Sequence, residues 1–137
     1  MIDDCVFCKV GQNIFPAAKV YEDEEVLAFF DQFPVARYHT LVVPKEHYSD
    51  LFDIPPDLVG KVMKVTQKIA KVYSEALDLK NLQLLSNCGR YAQQSVFHFH
   101  IHIIPRFPLD GNNINWQKHP EYQMEFSDML SKLPRIE

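Results

Sequence analysis

Several features are missing from this chain of 137 residues, and each absence excludes something. No apolar run approaches the ~20 residues that a membrane-spanning helix needs, so no membrane partner is expected. Basic residues are in deficit, 14 Lys and Arg against 18 Asp and Glu, for a net charge of −4. Binding to a nucleic-acid backbone relies on a positive surface that releases counterions, so no nucleic-acid partner is expected. There is no low-complexity segment and no internal repeat. The start, Met1-Ile2-Asp3-Asp4, has neither the basic n-region nor the apolar h-region of a leader, and the expected location is cytoplasmic. No G-x-x-x-x-G-K-[ST] loop offers to cradle a polyphosphate, and no H-E-x-x-H pair offers a metalloprotease site. Three cysteines are too few for a disulfide framework.

What is present suits one ordinary globular domain spanning residues 1–137. Hydrophobic residues make up 47% and charged residues 23%, enough to build a core at this length without staples. Val20-Tyr21-Glu22 and Val26 to Phe30 read as strands around an acidic turn, and Thr40-Leu41-Val42-Val43 as a third strand stopped by Pro44. Asp53 to Asp57 opens a helix whose prolines fall in the first turn, where a missing donor costs nothing. Leu58, Val62, Val65, Ile69, Val72 (or Tyr73) and Ala76 then recur every three or four residues, and Lys61, Lys64, Lys68 and Lys71 occupy other faces. This predicts an amphipathic helix of about five to six turns. Leu82 to Ser86 and Phe97 to Ile104 read as two more strands, separated by the polar loop Asn87 to Gln94. After Pro108 the composition shifts, and Tyr122, Phe126, Met129 and Leu133 sit at helical spacing in a C-terminal extension over 108–137. Strands and one long helix without regular alternation predict an α+β fold with a mostly antiparallel sheet of about five strands.

The segment His98-Phe99-His100-Ile101-His102-Ile103-Ile104 carries the chemistry. Alternation, aromatic and β-branched residues and the closing proline favour a strand over a helix. Three imidazoles then share one face at ~6.6 Å intervals, and Phe97, Phe99, Ile101 and Ile103 line the other, against the long helix. A single histidine is most simply a satisfied structural residue; three of the chain's six on one face are not. Such a row suits a catalytic metal, or a nucleophilic imidazole that its neighbours orient. Cys5 and Cys8 form a C-x-x-C pair, which suits zinc or thiol redox chemistry. A thioredoxin-type pair should follow a strand, and nothing before Cys5 is long enough to be one. Cys88 reads as a small, partly buried residue.

His98 to Ile104 resembles the H-φ-H-φ-H-φ-φ signature of the histidine-triad (HIT) nucleotide hydrolases and transferases. The likeness extends from about Cys5 to Arg106. It includes Phe15-Pro16-Ala17, Tyr21-Glu22-Asp23, Leu27 to Asp31, His39 to His47 and Gln94 to Phe97, and it is greatest to the small bacterial-type members of the Hint-like branch. The resemblance implies that His100 is the nucleophile. It would attack the α-phosphorus of a nucleoside phosphoramidate or related adenosine nucleotide to give a nucleotidyl-histidine that water hydrolyses, with no catalytic metal. His102 would contact the phosphate and help with proton transfer. Asn87, Gln94 and Ser95 would stand at the phosphate and leaving group, and Asp31 at both ribose hydroxyls; without the resemblance Asp31 reads equally as a solvated turn carboxylate. Val6, Phe7, Val10, Phe29 and Leu41 would wall a purine, though alone they read as core. Where family loops carry small residues, often Gly-Gly, this chain has Ala92-Gln93, and a positive φ there would strain Gln93.

The resemblance further implies a structural zinc on Cys5, Cys8, His47 and His98, with His39 as the alternative to His47 and otherwise expected near the active site. It also implies a homodimer. Trp116, in the tail beyond the resemblance, reads as packing on a partner, as approaching its active site, or as an ordinary hydrophobic anchor. Two other functions compete with the hydrolase. One is a metal-dependent hydrolase with its metal on the histidine row; the other is a nucleotide-binding sensor without catalysis.

Overall fold

The structure is a computed structural model and describes residues 4–137; the first three residues of the acidic start lie outside them. Five strands form one sheet in the order β1-β2-β3-β5-β4, and every neighbouring pair is antiparallel. They are β1 (Lys19–Glu22), β2 (Val26–Phe30), β3 (Thr40–Pro44), β4 (Leu82–Leu85) and β5 (Ile101–Pro105). The central strands β2 and β3 are almost wholly buried, as continuous apolar runs covered on both faces should be. The fold is α+β, as expected.

One face of the sheet is covered by helix α2 (Pro56–Leu77). Val62, Val65, Ile69 and Tyr73 from the helix pack against Val26, Ala28, Val42, Ile101 and Ile103 from the sheet. The periodicity left Val72 and Tyr73 as alternatives. Tyr73 is the inward residue, because its hydroxyl reaches Thr40 Oγ1 at 2.7 Å, and Val72 is exposed. The helix ends at Asp78, whose φ of 52° is left-handed.

The other face is covered by α1 (Val6–Gly11), a short helix that the sequence reading did not anticipate. Phe7, Cys8 and Val10 pack on Leu27, Phe29, Leu41 and Val43. Cys5 caps this helix, its Sγ accepting from the Cys8 N–H at 3.4 Å. Strand pairing then aligns a row across this face: Phe29 lies opposite Leu41, Leu41 opposite His102, and His102 opposite Leu85.

The histidine strand is shorter than its alternation suggests. The ladder begins at Ile101, not at Phe97. The β3–β5 register pairs Val42 with Ile101, and continuing it sets Pro44 opposite Phe99. Proline has no N–H to donate, so the ladder stops. Phe97 is correspondingly 46% exposed and does not join the apolar face it was expected on, whereas Phe99, Ile101 and Ile103 do.

Beyond β5, Arg106 clamps the chain, reaching both carboxylate oxygens of Asp110 at 2.8 Å and Gln83 Oε1 at 2.8 Å. The C-terminal stretch ends in a 3₁₀ turn (Pro120–Glu125) and α3 (Phe126–Ser131), all exposed. No helix among the described residues is long and apolar enough to cross a membrane.

Candidate functional site

The three histidines divide between two clusters. His98 is fully buried and turns its ring toward α1. Its Nδ1 lies 3.3 Å from Cys5 Sγ, 3.6 Å from Cys8 Sγ and 3.2 Å from His47 Nδ1, and His47 Nδ1 lies 3.4 Å from Cys8 Sγ. All four donor atoms fall within 4.8 Å of one another. Tetrahedral zinc with bonds of about 2.0–2.1 Å to nitrogen and 2.3 Å to sulfur separates its ligands by about 3.3 Å (N to N) and 3.6 Å (N to S). The donor set therefore fits zinc in chemistry and in spacing. The far nitrogen of His98, Nε2, donates to the Pro44 carbonyl at 2.7 Å, which leaves the lone pair on Nδ1, facing the thiols. Burial pushes the His98 pKa down to about 4, so this ring is neutral at pH 7. His47, and not His39, completes the group.

His100 has the opposite arrangement. Its Nδ1 donates to the His98 carbonyl at 2.7 Å, which leaves the lone pair on Nε2. The ring lines a cleft of about 880 Å³ on the α1 side of the sheet. Burial lowers its pKa, so the free base is the resting form at pH 7. Phe7 holds both rings edge-on, with centroids 5.1 Å from His100 and 5.9 Å from His98.

His102 is set by a relay. The Val35 N–H donates to His39 Nδ1 at 3.1 Å. His39 must then carry its proton on Nε2, which donates to His102 Nδ1 at 2.9 Å. The remaining proton of His102 is on Nε2. Burial first, and the neighbouring His100 and His39 second, push the His102 pKa down to about 4. Asp31 Oδ2 lies 3.5 Å from His39 Nε2, and Asp31 Oδ1 accepts from the Phe33 N–H at 2.8 Å.

Asp31, His39 and His102 also place three potential ligand atoms within 4.8 Å of one another. A metal on His39 Nε2 would require a proton on Nδ1, where the Val35 N–H already points. This trio suits a hydrogen-bond relay, not an ion, and with His98 turned to the cysteines the row does not present three ligands to a common metal.

The remaining predicted residues are distributed unevenly. Val6, Phe7, Val10, Phe29, Leu41, Asp31 and Ser95 line the cleft with His100 and His102. His39 stands behind His102, outside that lining. Asn87 lies elsewhere, in a separate cavity with Tyr91, Gln93 and Trp116. Gln94 is buried and engages backbone groups instead of the cleft. Gln93 does adopt a positive φ, 71°, so the strain expected at that position is present. The reading of the sequence missed α1 as an element, although Phe7 and Val10 stand three residues apart and could have signalled it. It also missed the Val35 N–H, which no side-chain pattern can reveal.

An antiparallel five-stranded sheet that presents His100 to a largely apolar cleft beside a Cys₂His₂ cluster defines a distinct class of α+β domain. The chain belongs to the HIT family: the HIT domain pattern matches residues 12–109. It is 39% identical over 136 residues to Protein hit of Bacillus subtilis, covering 95% of this chain and 94% of that one. It is 39% identical over 108 residues to the adenylylsulfatase HINT3 of Arabidopsis thaliana, covering 79% of this chain and 55% of that protein. A HIT family protein from Bacillus anthracis superposes with a TM-score of 0.87 at 40% identity, covering 96% and 95% of the two chains. A zinc-bound histidine triad family protein from Mycobacterium smegmatis does so with 0.75 at 34% identity, covering 93% and 96%.

Proposed function

We propose that the protein is a nucleotide hydrolase that cleaves the α-phosphate bond of nucleoside phosphoramidates or related adenosine nucleotides through a covalent nucleotidyl-His100. The observation that carries this reading is the free Nε2 lone pair of His100 on the cleft, with Nδ1–H anchored to the His98 carbonyl. Nε2 attacks the α-phosphorus, the bond from phosphorus to the leaving amine breaks, and the amine takes up a proton from solvent. Water then attacks the same phosphorus, gives up its proton to solvent and releases Nε2 with its lone pair restored. The His102 Nε2–H donates to a phosphate oxygen, where charge builds up in both steps. The base lies against Val6, Phe7, Val10, Phe29 and Leu41, and Asp31 accepts from the ribose hydroxyls. Among the described residues lining the cleft there is no lysine or arginine, which favours an amine over a polyphosphate leaving group.

Cys5, Cys8, His47 and His98 would hold a zinc ion. With four protein ligands that ion has no open position, and its contribution is structural. Support comes from the fit of the donor spacing and from the zinc-bound relative. We read the protein as a homodimer as well, on the strength of the free edge of β4 and the exposed apolar residues of α3. A single 16.0 kDa species in analytical ultracentrifugation would remove that part.

The test is hydrolysis of adenosine 5′-phosphoramidate without added metal, followed by mass spectrometry of acid-quenched protein. An adenylyl mass on wild-type protein, absent from His100→Ala, is the expected result. Undiminished turnover in His100→Ala overturns the mechanism.

A further inference from the structure

We propose that Gln94 is a positioning residue at the end of the 87–94 loop: a buried amide that touches no substrate and acts by holding Ser95 at the mouth of the cleft. This rests on the nucleotidyl-transfer reading above. Gln94 is 5% exposed, while its neighbour Ser95 is exposed and lines the cleft. Both protons of the Gln94 amide are committed, one to the Ser49 carbonyl at 2.7 Å and one to the Val96 carbonyl at 3.1 Å. No donor remains for a phosphate oxygen. The amide oxygen accepts from the Gly89 N–H at 2.8 Å, and the main-chain N–H of Gln94 returns to the Gly89 carbonyl at 3.1 Å.

One side chain thus joins three segments. Gly89 lies within the 87–94 loop, Ser49 stands two residues after His47 of the Cys₂His₂ cluster, and Val96 comes directly after Ser95. The bond to Val96 spans Ser95, so the backbone is fixed on both sides of that hydroxyl. The loop needs this support. Its two positive-φ residues are Gly89 at 92° and Gln93 at 71°, and Gln93 lacks glycine's freedom there. Strained backbone of this kind persists only where surrounding contacts over-determine it. Glutamate at position 94 would offer no donors to the two carbonyls, and asparagine is one methylene too short to span the same three groups.

A double-mutant cycle tests the assignment, with kcat/KM for adenosine 5′-phosphoramidate as the readout. Gln94→Ala is expected to lower kcat/KM about tenfold, mostly in kcat, because it acts through the placement of the Ser95 hydroxyl. Ser95→Ala is expected to cost about tenfold in the wild-type chain and nothing further in Gln94→Ala, because the hydroxyl is already displaced. Effects that multiply, or a Gln94 variant with wild-type kcat/KM, overturn the proposal; a role in stability alone would leave the two substitutions independent. The same cycle run on Gln94→Met, which fills the space without the three bonds, decides the matter if Gln94→Ala does not fold. Wild-type turnover in His100→Ala would instead overturn the underlying reading.

Discussion

His98 and His100 are two residues apart, both buried, both neutral at pH 7, and chemically opposite. His98 donates through Nε2 to the Pro44 carbonyl and turns Nδ1 toward two thiols. His100 donates through Nδ1 to the His98 carbonyl and turns Nε2 toward the cleft. The difference lies in which main-chain oxygen each ring meets, since a neutral imidazole donates from one nitrogen and accepts at the other. Two backbone carbonyls thus fit one residue type to the two roles proposed for it, metal ligand at His98 and nucleophile at His100. Proline at position 44 serves both ends of this arrangement: it ends the β3–β5 ladder and leaves its carbonyl to His98.

The largest expected effect lies at His100. His100→Ala should lower turnover of adenosine phosphoramidate by at least about 10⁴-fold, as loss of a covalent nucleophile does elsewhere, while isothermal titration still detects AMP binding. At the metal half, Cys5→Ser should remove the zinc and lower the melting temperature by about 10 °C or more. Elemental analysis of chelator-free protein should give close to one zinc per wild-type chain; well under about 0.5 per chain, or an unchanged melting temperature in the variant, would dissolve the distinction between the halves.

The relay behind His102 offers a finer cut. Removing His39 frees the His102 tautomer, so His39→Ala should slow turnover by about 10²-fold with little change in AMP affinity, within the usual range for a misdirected proton donor. Protonation probes the same ring. The folded-state pKa of His102 is about 4, below the ordinary 6.5. A depressed base favours the folded state while neutral, so this contribution is complete above pH 6.5 and is lost as pH falls through about 4. Urea midpoints for wild type should therefore decline across that window more steeply than those of His102→Gln. The smallest expected effect is at Gln93, where φ is 71°. Gln93→Gly should stabilise the fold by about 1 kcal/mol, the cost of holding a side chain in left-handed backbone, as read from the same urea titrations.

Much of this was legible in the sequence where periodicity reports burial directly. The 3.6-residue repeat from Leu58 onward located α2, and five strands emerged from β-branched runs and their flanking turns. The His-x-His-x-His spacing identified the chemistry-bearing segment but overstated its regularity. Alternation from Phe97 to Ile104 does not show where a partner strand stops donating hydrogen bonds, and only the register places Pro44 opposite Phe99. Gln94 was unreadable for a related reason. Its partners at Ser49, Gly89 and Val96 are main-chain groups, and no pattern of side chains encodes which carbonyl a buried amide will find. Asn87, placed at the phosphate by the family resemblance, lines a different cavity, with Gln93 and Trp116.

Helix α1 is six residues long, too short to persist in water by its own hydrogen bonds. It supplies Cys5, as its cap, and Cys8 to one cluster, and Val6, Phe7 and Val10 to the wall of the other. The zinc site and the base wall proposed above thus share a single rivet, and preparations that differ in metal content should differ in how firmly they hold nucleotide.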